Sequence, residues 1–175
     1  METNLTKNPS LLAWLDEKVE LLKPSKIMWI DGSKEQIDAL KKEAVETGEM
    51  IKLNEDLLPD CYLHRTAEND VARVEDRTLI CSREEKDAGP TNHWMEPSKA
   101  YKMLYDIARG SYQGRTMYII PYSMGPVGSP FSKIGVEITD SIYVVLNMNI
   151  MTRIGKKVLD TLGDSNDWVR GMHCK

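Results

Sequence analysis

The chain has 175 residues, of which 41% are hydrophobic and 29% charged, and its formal net charge is −4. This length allows one domain with a buried core, and the composition is that of an ordinary globular protein. No apolar run is long enough to span a membrane, and neither the small acidic excess nor any Lys/Arg run predicts a nucleic-acid or membrane surface.

The first predicted elements are a helix, a buried strand and a second helix. Asn8 is a suitable N-cap and Pro9 a suitable first residue for a helix whose apolar residues recur at helical spacing. The apolar run 27–30 predicts a short buried strand that ends at an Asp-Gly turn. Ser33 and Gln36 then have the spacing of a capping box, which predicts where the second helix begins.

The middle of the chain predicts shorter elements. Segments 50–53 and 61–64 have the character of weak strands, and 78–81 that of a second buried strand. A charged segment interrupted by Pro and Gly follows, which predicts a loop. Pro97 then begins a helix that Gly110 ends.

A strand at 115–121 leads into a segment rich in Pro and Gly, 121–130. After it, residues 134–139 alternate between apolar and other side chains, which predicts a half-buried strand. Rigid loops at strand ends often present a binding site, but they also often only turn the chain. The residues alone leave both interpretations of this loop open.

The last part of the chain is predicted to be mostly helical. Asp140 or Ser141 can cap a segment over 142–154 whose length favours a buried helix, although 143–145 would also suit a strand. Residues 158–162 predict a short final helix, whereas 164–175 has little regular pattern. Strands and helices alternate along the chain, which predicts an α/β fold with an α+β tendency. We expect a single domain, residues 1–175, with a mixed sheet flanked by helices.

Several patterns of catalytic and metal sites are absent from the sequence. Gly125 and Gly128 are not followed by the Lys-Ser/Thr of a phosphate-binding loop, and no HExxH or GxSxG occurs. The histidines lie far apart, and Cys61, Cys81 and Cys174 match no zinc spacing. We therefore expect no metal ligand here, and reduced thiols in a cytoplasmic protein without a secretory signal.

Arg73 and Glu75 are the candidates for anion binding. They lie two positions apart in the run DVARVE, so in an extended segment they would project to the same face. An Arg fork can bind a carboxylate or phosphate with two hydrogen bonds, and a neighbouring carboxylate can hold the Arg or a mobile element. Spacing alone favours a simpler interpretation, a solvated strand edge with weak ion pairs.

Two stretches of the sequence resemble a known family. Residues 114–155, GRTMYIIPYSMGPVGSPFSKIGVEITDSIYVVLNMNIMTRIG, resemble the N-terminal domain of GTP-dependent phosphoenolpyruvate carboxykinases. The run DVARVE resembles the family's segment around its substrate arginine, and the order and spacing of the two stretches agree with the family. The remaining parts of the chain resemble the family more loosely.

The resemblance implies a function in gluconeogenesis, the conversion of oxaloacetate and GTP to phosphoenolpyruvate, carbon dioxide and GDP. It implies manganese at the catalytic site and magnesium with the nucleotide. It places the substrate-binding role on Arg73 and contact with the closed active-site lid on Glu75. The family's catalytic, metal-binding and nucleotide-binding residues come later in the polypeptide, so we expect none in this chain, no bound cofactor and no activity without the C-terminal domain.

An alternative is a stand-alone binding or scaffolding module that has the same fold and no catalytic activity. Such a module needs a self-sufficient surface. An exposed apolar face, where another domain could pack, would instead favour a portion of a larger enzyme.

Overall fold

The structure is a computed structural model that describes residues 4–66, 68 and 74–175. The chain divides into two compact units, one formed by Met1–Arg65 with Gly110–Lys175 and the other by Thr66–Arg109. The first unit contains a mixed sheet flanked by helices, which confirms the predicted α/β architecture.

The described residues contain the following elements. The helices are α1 Pro9–Leu22, α2 Lys34–Glu46, α3 Pro97–Ala108, α4 Ile142–Met151 and α5 Lys156–Leu162. The strands are β1 Lys26–Trp29, β2 Ile51–Lys52, β3 Tyr62–Leu63, β4 Leu79–Ile80, β5 His93–Trp94, β6 Thr116–Met124, β7 Lys133–Thr139, β8 Arg153–Ile154 and β9 Val169–His173. Short 3₁₀ turns occur at Glu75–Arg77 and Glu85–Ala88.

The main sheet has the strand order β1-β6-β7-β9. Strands β6 and β7 form an antiparallel hairpin, whereas β1 is parallel to β6 and β9 is parallel to β7. The side of β6 away from β7 is shared, since β1 pairs with its first half and β8 pairs with Tyr122 and Ser123. Outside this sheet, β2 pairs with β3 and β4 pairs with β5.

Helices cover both faces of β6. Successive side chains of a strand point to opposite faces, so β6 contributes buried residues to both. Tyr118 and Ile120 belong to a buried core with residues of α2 and α4. Met117 and Ile119 point the other way and are also buried, on the face where α5 packs against the strand.

Local signals begin α1 as predicted. The Asn8 side chain accepts a hydrogen bond from the Leu11 N–H (3.0 Å), which satisfies a donor of the first helical turn. The amide nitrogen of Asn8 also donates to the Gly163 carbonyl (2.7 Å), just after α5. One side chain therefore caps α1 and ties it to the end of α5.

A close approach of two backbone segments joins β1 to the region of β8 and α5. The Lys156 N–H donates to the Asp31 carbonyl (3.0 Å), and a Cβ at Gly32 would lie 2.6 Å from the Ile154 carbonyl oxygen. Gly155 has φ +109°, and a Cβ there would overlap the Asp31 carbonyl. Only glycine allows this conformation and approach.

Several predicted elements differ from the observed ones. The segment 78–81 is not a buried strand, because β4 is only two residues long and Ile80 is 40% exposed. The helix predicted over 142–154 ends at Met151, since the next residues pair with β6 as β8. The tail predicted to lack regular structure contains β9, whose hydrogen-bonding partner is β7.

Candidate functional site

The Pro/Gly-rich segment forms the loop of the β6–β7 hairpin. Strand β6 continues through the proline to Met124, and the loop spans 125–132. Gly125 and Gly128 have φ values of +87° and +82°, and internal hydrogen bonds such as Ser132 N–H to the Ser129 carbonyl (3.0 Å) hold the turn. The loop therefore turns the chain between β6 and β7, and its role in a binding site stays a prediction.

Two side chains on one face of the sheet lie over glycines of the neighbouring strands. The ring of Tyr122 covers Gly135, and the carboxylate of Glu137 covers Gly171, so that a Cβ on either glycine would overlap these groups. The pairing β6–β7–β9 puts all four residues on the same face as the α2/α4 core. The glycines of β7 and β9, which have no side chain, thus make room for a polar side chain of the neighbouring strand.

Glu137 is the unusual titratable group of this sheet face. It is partly buried, and it has no hydrogen bond or ion pair with any residue of the described ranges. Burial raises the pKa of Glu137 to about 7, because the charged form loses hydration without gaining a partner. Burial also raises the pKa of Tyr122, and the nearby Glu137 carboxylate adds to that shift.

No motif of the sequence points to Glu137. Its signal is a carboxylate within the apolar alternation of Ile134, Val136 and Ile138, on the strand face opposite to these three. Alternation normally assigns such a residue to solvent. Only the pairing with β6 and β9 places it over a glycine and beside Tyr122.

Large apolar side chains are exposed near the same end of β6. Met124 is 53% exposed at the end of the strand, and Phe131 is 89% exposed in the hairpin loop. Ile150 and Met151, just before β8, are 79% and 63% exposed. Exposed apolar groups concentrated in this way are typical of surfaces that pack against another polypeptide.

At the opposite end of β7, by contrast, a buried carboxylate has hydrogen-bond partners. The side chain of Asp140 is completely buried and accepts hydrogen bonds from the Lys175 N–H (2.8 Å) and from the guanidinium of Arg115. The Thr-Asp-Ser run of the sequence therefore has a structural function, which is to fix the chain between β7 and α4.

Glu49 completes this corner by capping α4 from outside the helix. Its carboxylate accepts hydrogen bonds from the Tyr143 N–H (2.9 Å), the Ser141 hydroxyl (2.8 Å) and the Lys175 ammonium (2.9 Å). Burial by itself would raise the pKa of Glu49, but these donors outweigh it and the pKa is lowered. Ser141 is the N-cap residue, one of the two predicted, but its own side chain makes no capping hydrogen bond and Glu49 supplies one instead.

The two predicted substrate-site residues are described incompletely. Arg73 lies outside the described residues. The backbone of Glu75 begins the 3₁₀ turn Glu75–Arg77, while its side chain lies outside the description. The extended segment assumed for the pair therefore does not include Glu75, and the roles of both residues stay predictions.

The cysteines and histidines form no common site within the described ranges. Cys61, Cys81 and Cys174 are free thiols. No group of three or more His, Cys, Asp or Glu side chains in the described part of the chain is arranged to hold a metal ion. Among the helices described, none has both the length and the apolarity needed to cross a bilayer.

Comparison with known proteins identifies the family. Residues 13–175 match the model of the phosphoenolpyruvate carboxykinase N-terminal domain. The chain belongs to this family. Among its relatives, the protein named phosphoenolpyruvate carboxykinase [GTP] of Anaeromyxobacter dehalogenans is 52% identical over 168 residues. Proteins of the same name from Corynebacterium jeikeium and Corynebacterium glutamicum are 48% and 47% identical over the same length.

These alignments cover different shares of the two partners. Each includes 96% of this chain but 28% of the relative. The chain thus spans little more than a quarter of the length of the relatives it matches.

Proposed function

We propose that this chain is the N-terminal, substrate-binding portion of a GTP-dependent phosphoenolpyruvate carboxykinase. Within a longer polypeptide it would take part in converting oxaloacetate and GTP to phosphoenolpyruvate, carbon dioxide and GDP, the carboxy-lyase step of gluconeogenesis in the cytoplasm. The observation that carries the proposal is the family match over residues 13–175, together with relatives named for this enzyme at 47–52% identity.

The exposed apolar side chains support a portion of a larger enzyme over a stand-alone module. Met124, Phe131, Ile150 and Met151 are each more than half exposed, in the region where the β6–β7 hairpin and the end of α4 meet β8. A self-sufficient module would expose fewer large apolar groups in one region.

One residue is proposed to bind the substrate and one to contact the closed active-site lid. Arg73 would bind the substrate's carboxylate or phosphoryl end, because a guanidinium matches either anion with paired hydrogen bonds. Glu75 would accept a hydrogen bond from the closed lid. Both assignments follow from the resemblance of the run DVARVE to the family's substrate segment.

The metals and the nucleotide are assigned to other parts of the polypeptide. The described residues contain no cluster of His, Cys, Asp or Glu that fits manganese or magnesium, and the sequence has no phosphate-binding loop. Because the resemblance puts the family's metal-binding and nucleotide-binding residues later in the polypeptide, the proposal gives this chain contacts with the substrate and the lid, and no step in metal or GTP chemistry.

The first test measures decarboxylation by the isolated chain. With oxaloacetate, GTP and manganese, we expect no rate above that of the metal alone, because the nucleotide and metal sites are assigned elsewhere. Turnover comparable to that of a full-length relative would contradict the proposed division of functions.

The second test joins this chain to the rest of the Anaeromyxobacter dehalogenans relative, in place of the matching stretch. This chimera should form phosphoenolpyruvate. Arg73→Ala should raise the KM for oxaloacetate roughly 10- to 100-fold, since a charge-assisted hydrogen-bond pair contributes about 1.5–3 kcal/mol. The KM for GTP should stay unchanged.

Arg77→Ala is the matched control, because Arg77 is an exposed arginine at the end of the same short turn. It should leave both KM values unchanged. If Arg73→Ala has wild-type oxaloacetate kinetics, Arg73 does not belong to the substrate site.

A further inference from the structure

A side chain covers the C-terminal end of the β1 edge of the sheet. The amide of Gln36 in α2 donates from Nε2 to the Trp29 carbonyl (2.8 Å) and accepts at Oε1 from the Asp31 N–H (2.9 Å). A primary amide bonded in this way replaces the peptide group of a neighbouring strand. The end of β1 is therefore already paired within the chain.

The β9 edge has no comparable cover. Strand β9 pairs with β7 on one side, and on the described residues its main chain has one further partner, the Tyr112 hydroxyl, which donates to the His173 carbonyl. No hydrogen bond within the described ranges reaches the outer side of residues 169–172. A strand edge with free N–H and C=O groups is a template for pairing with another strand.

The carboxylate of Glu137 points toward this edge. It lies over Gly171, in the middle of β9, where a side chain would otherwise stand. Since paired strands are about 4.8 Å apart, a residue opposite Gly171 on an added strand would place its Cβ roughly 5 Å from this carboxylate. A Lys or Arg side chain at that position reaches the carboxylate oxygens.

The unpaired carboxylate indicates that a strand added at this edge carries a positive charge. Glu137 is partly buried, and no lysine or arginine of the described residues forms an ion pair with it. A buried charge without a partner costs free energy, and a cation from a neighbouring strand would offset that cost. The exposed side chain of Val169, two residues before Gly171 on the same face of β9, offers apolar contact to a residue beside that cation.

We propose that β9 pairs with a further strand from the part of the carboxykinase polypeptide that lies outside the matched stretch, and that a Lys or Arg of this strand forms an ion pair with Glu137. The source of the strand rests on the proposed function. The matched stretch is 28% of the relatives' length, so most of such a polypeptide is available to supply it.

The test uses the 175-residue chain labelled with ¹⁵N. Overlapping strand-length peptides that cover the rest of the Anaeromyxobacter dehalogenans relative are added in turn, and amide shifts and hydrogen exchange are recorded. We expect one contiguous segment, with a Lys or Arg among alternating apolar residues, to protect the outward amides of Val169–His173 from exchange. The amides of β1 serve as an internal control and should not change.

Two variants separate main-chain pairing from the ion pair. The same peptide N-methylated at alternate residues should lose binding, because it cannot form the ladder of hydrogen bonds. Glu137→Gln should weaken binding about tenfold or more, since the charged partner is lost. Glu20→Gln, an exposed glutamate on α1, should bind like the unmodified chain.

Three results would overturn the inference: no peptide protects β9, N-methylation has no effect, or the chain without peptide dimerises through β9 in sedimentation experiments. The peptide assay does not depend on turnover. Protection of β9 with an inactive chimera would overturn the proposed function alone, and an active chimera without any β9-binding segment would overturn this inference alone.

Discussion

The two edges of the main sheet differ in how completely this chain satisfies them. At the β1 edge, the Gln36 amide bonds the end of the strand, and the paired glycines Gly32 and Gly155 let the β8 region close against it. At the β9 edge, the outer main-chain groups and the Glu137 carboxylate have no such partners among the described residues. The chain itself bonds the end of one edge strand, whereas the outer side of β9 has no such partner among the described residues.

The pKa values of two glutamates show the same contrast. Glu49 is surrounded by three donors and its pKa is lowered, whereas Glu137 is buried without a donor and its pKa is raised to about 7. Burial acts in the same direction on both groups. The difference therefore comes from hydrogen bonding, and it indicates which carboxylate is a structural part of this chain and which is open to a partner.

The largest effect is expected from breaking the closed edge at Gly155. Gly155→Ala would force a Cβ into the Asp31 carbonyl at φ +109°, so the β8 segment or the turn after β1 must move. We expect a loss of about 3 kcal/mol or more in the free energy of unfolding, measured by urea denaturation.

Gly48→Ala is the control for backbone strain alone. Gly48 also has a positive φ, +76°, but nothing lies within 4 Å of a Cβ built there. It should cost only about 1 kcal/mol. Equal losses in the two variants would show that the close approach at Gly155 contributes nothing beyond its backbone conformation.

A smaller effect is expected from uncovering the β1 edge. Gln36→Ala leaves the Trp29 carbonyl and the Asp31 N–H without their side-chain partner, at a cost of about 1–2 kcal/mol. Hydrogen exchange at Asp31 should become faster. Glu43→Ala, at an exposed position of the same helix, should change neither quantity, and unchanged exchange at Asp31 in Gln36→Ala would mean that Gln36 does not protect this edge.

An effect of similar size but opposite sign is expected for Glu137. Its pKa is raised on folding, so its favourable contribution is complete below the ordinary value of 4.5 and is lost as the pH rises through about 7. Glu137→Gln should therefore raise the free energy of unfolding of the isolated chain by about 1–2 kcal/mol above pH 7 and change it little at acidic pH.

Glu49→Gln should have the opposite sign. The pKa of Glu49 is lowered on folding, so its contribution is present above the ordinary value of 4.5 and is lost as the pH falls. The variant should therefore be destabilised at neutral pH. If both variants changed stability in the same direction at neutral pH, the contrast between the two carboxylates would be wrong.

Site residues could be predicted from the sequence only where they belong to a recognisable run of residues. The resemblance of the run DVARVE selected Arg73 and Glu75, and these assignments stay predictions because the side chains lie outside the described residues. Glu137 has no sequence pattern of its own. Its environment depends on Gly171, which lies far along the chain and becomes its neighbour only through the pairing of β7 with β9.

The sequence by itself determined the start of α1, the start of α2 and the alternating strand β7, because capping and alternation depend on groups within a few residues of each other. Only the tertiary structure decided that the tail contains β9 and that Gln36 bonds β1 instead of completing a capping box. A short strand without alternation forms only when a neighbouring strand supplies its hydrogen bonds, and a side chain with two possible partners follows the geometry of the packed fold.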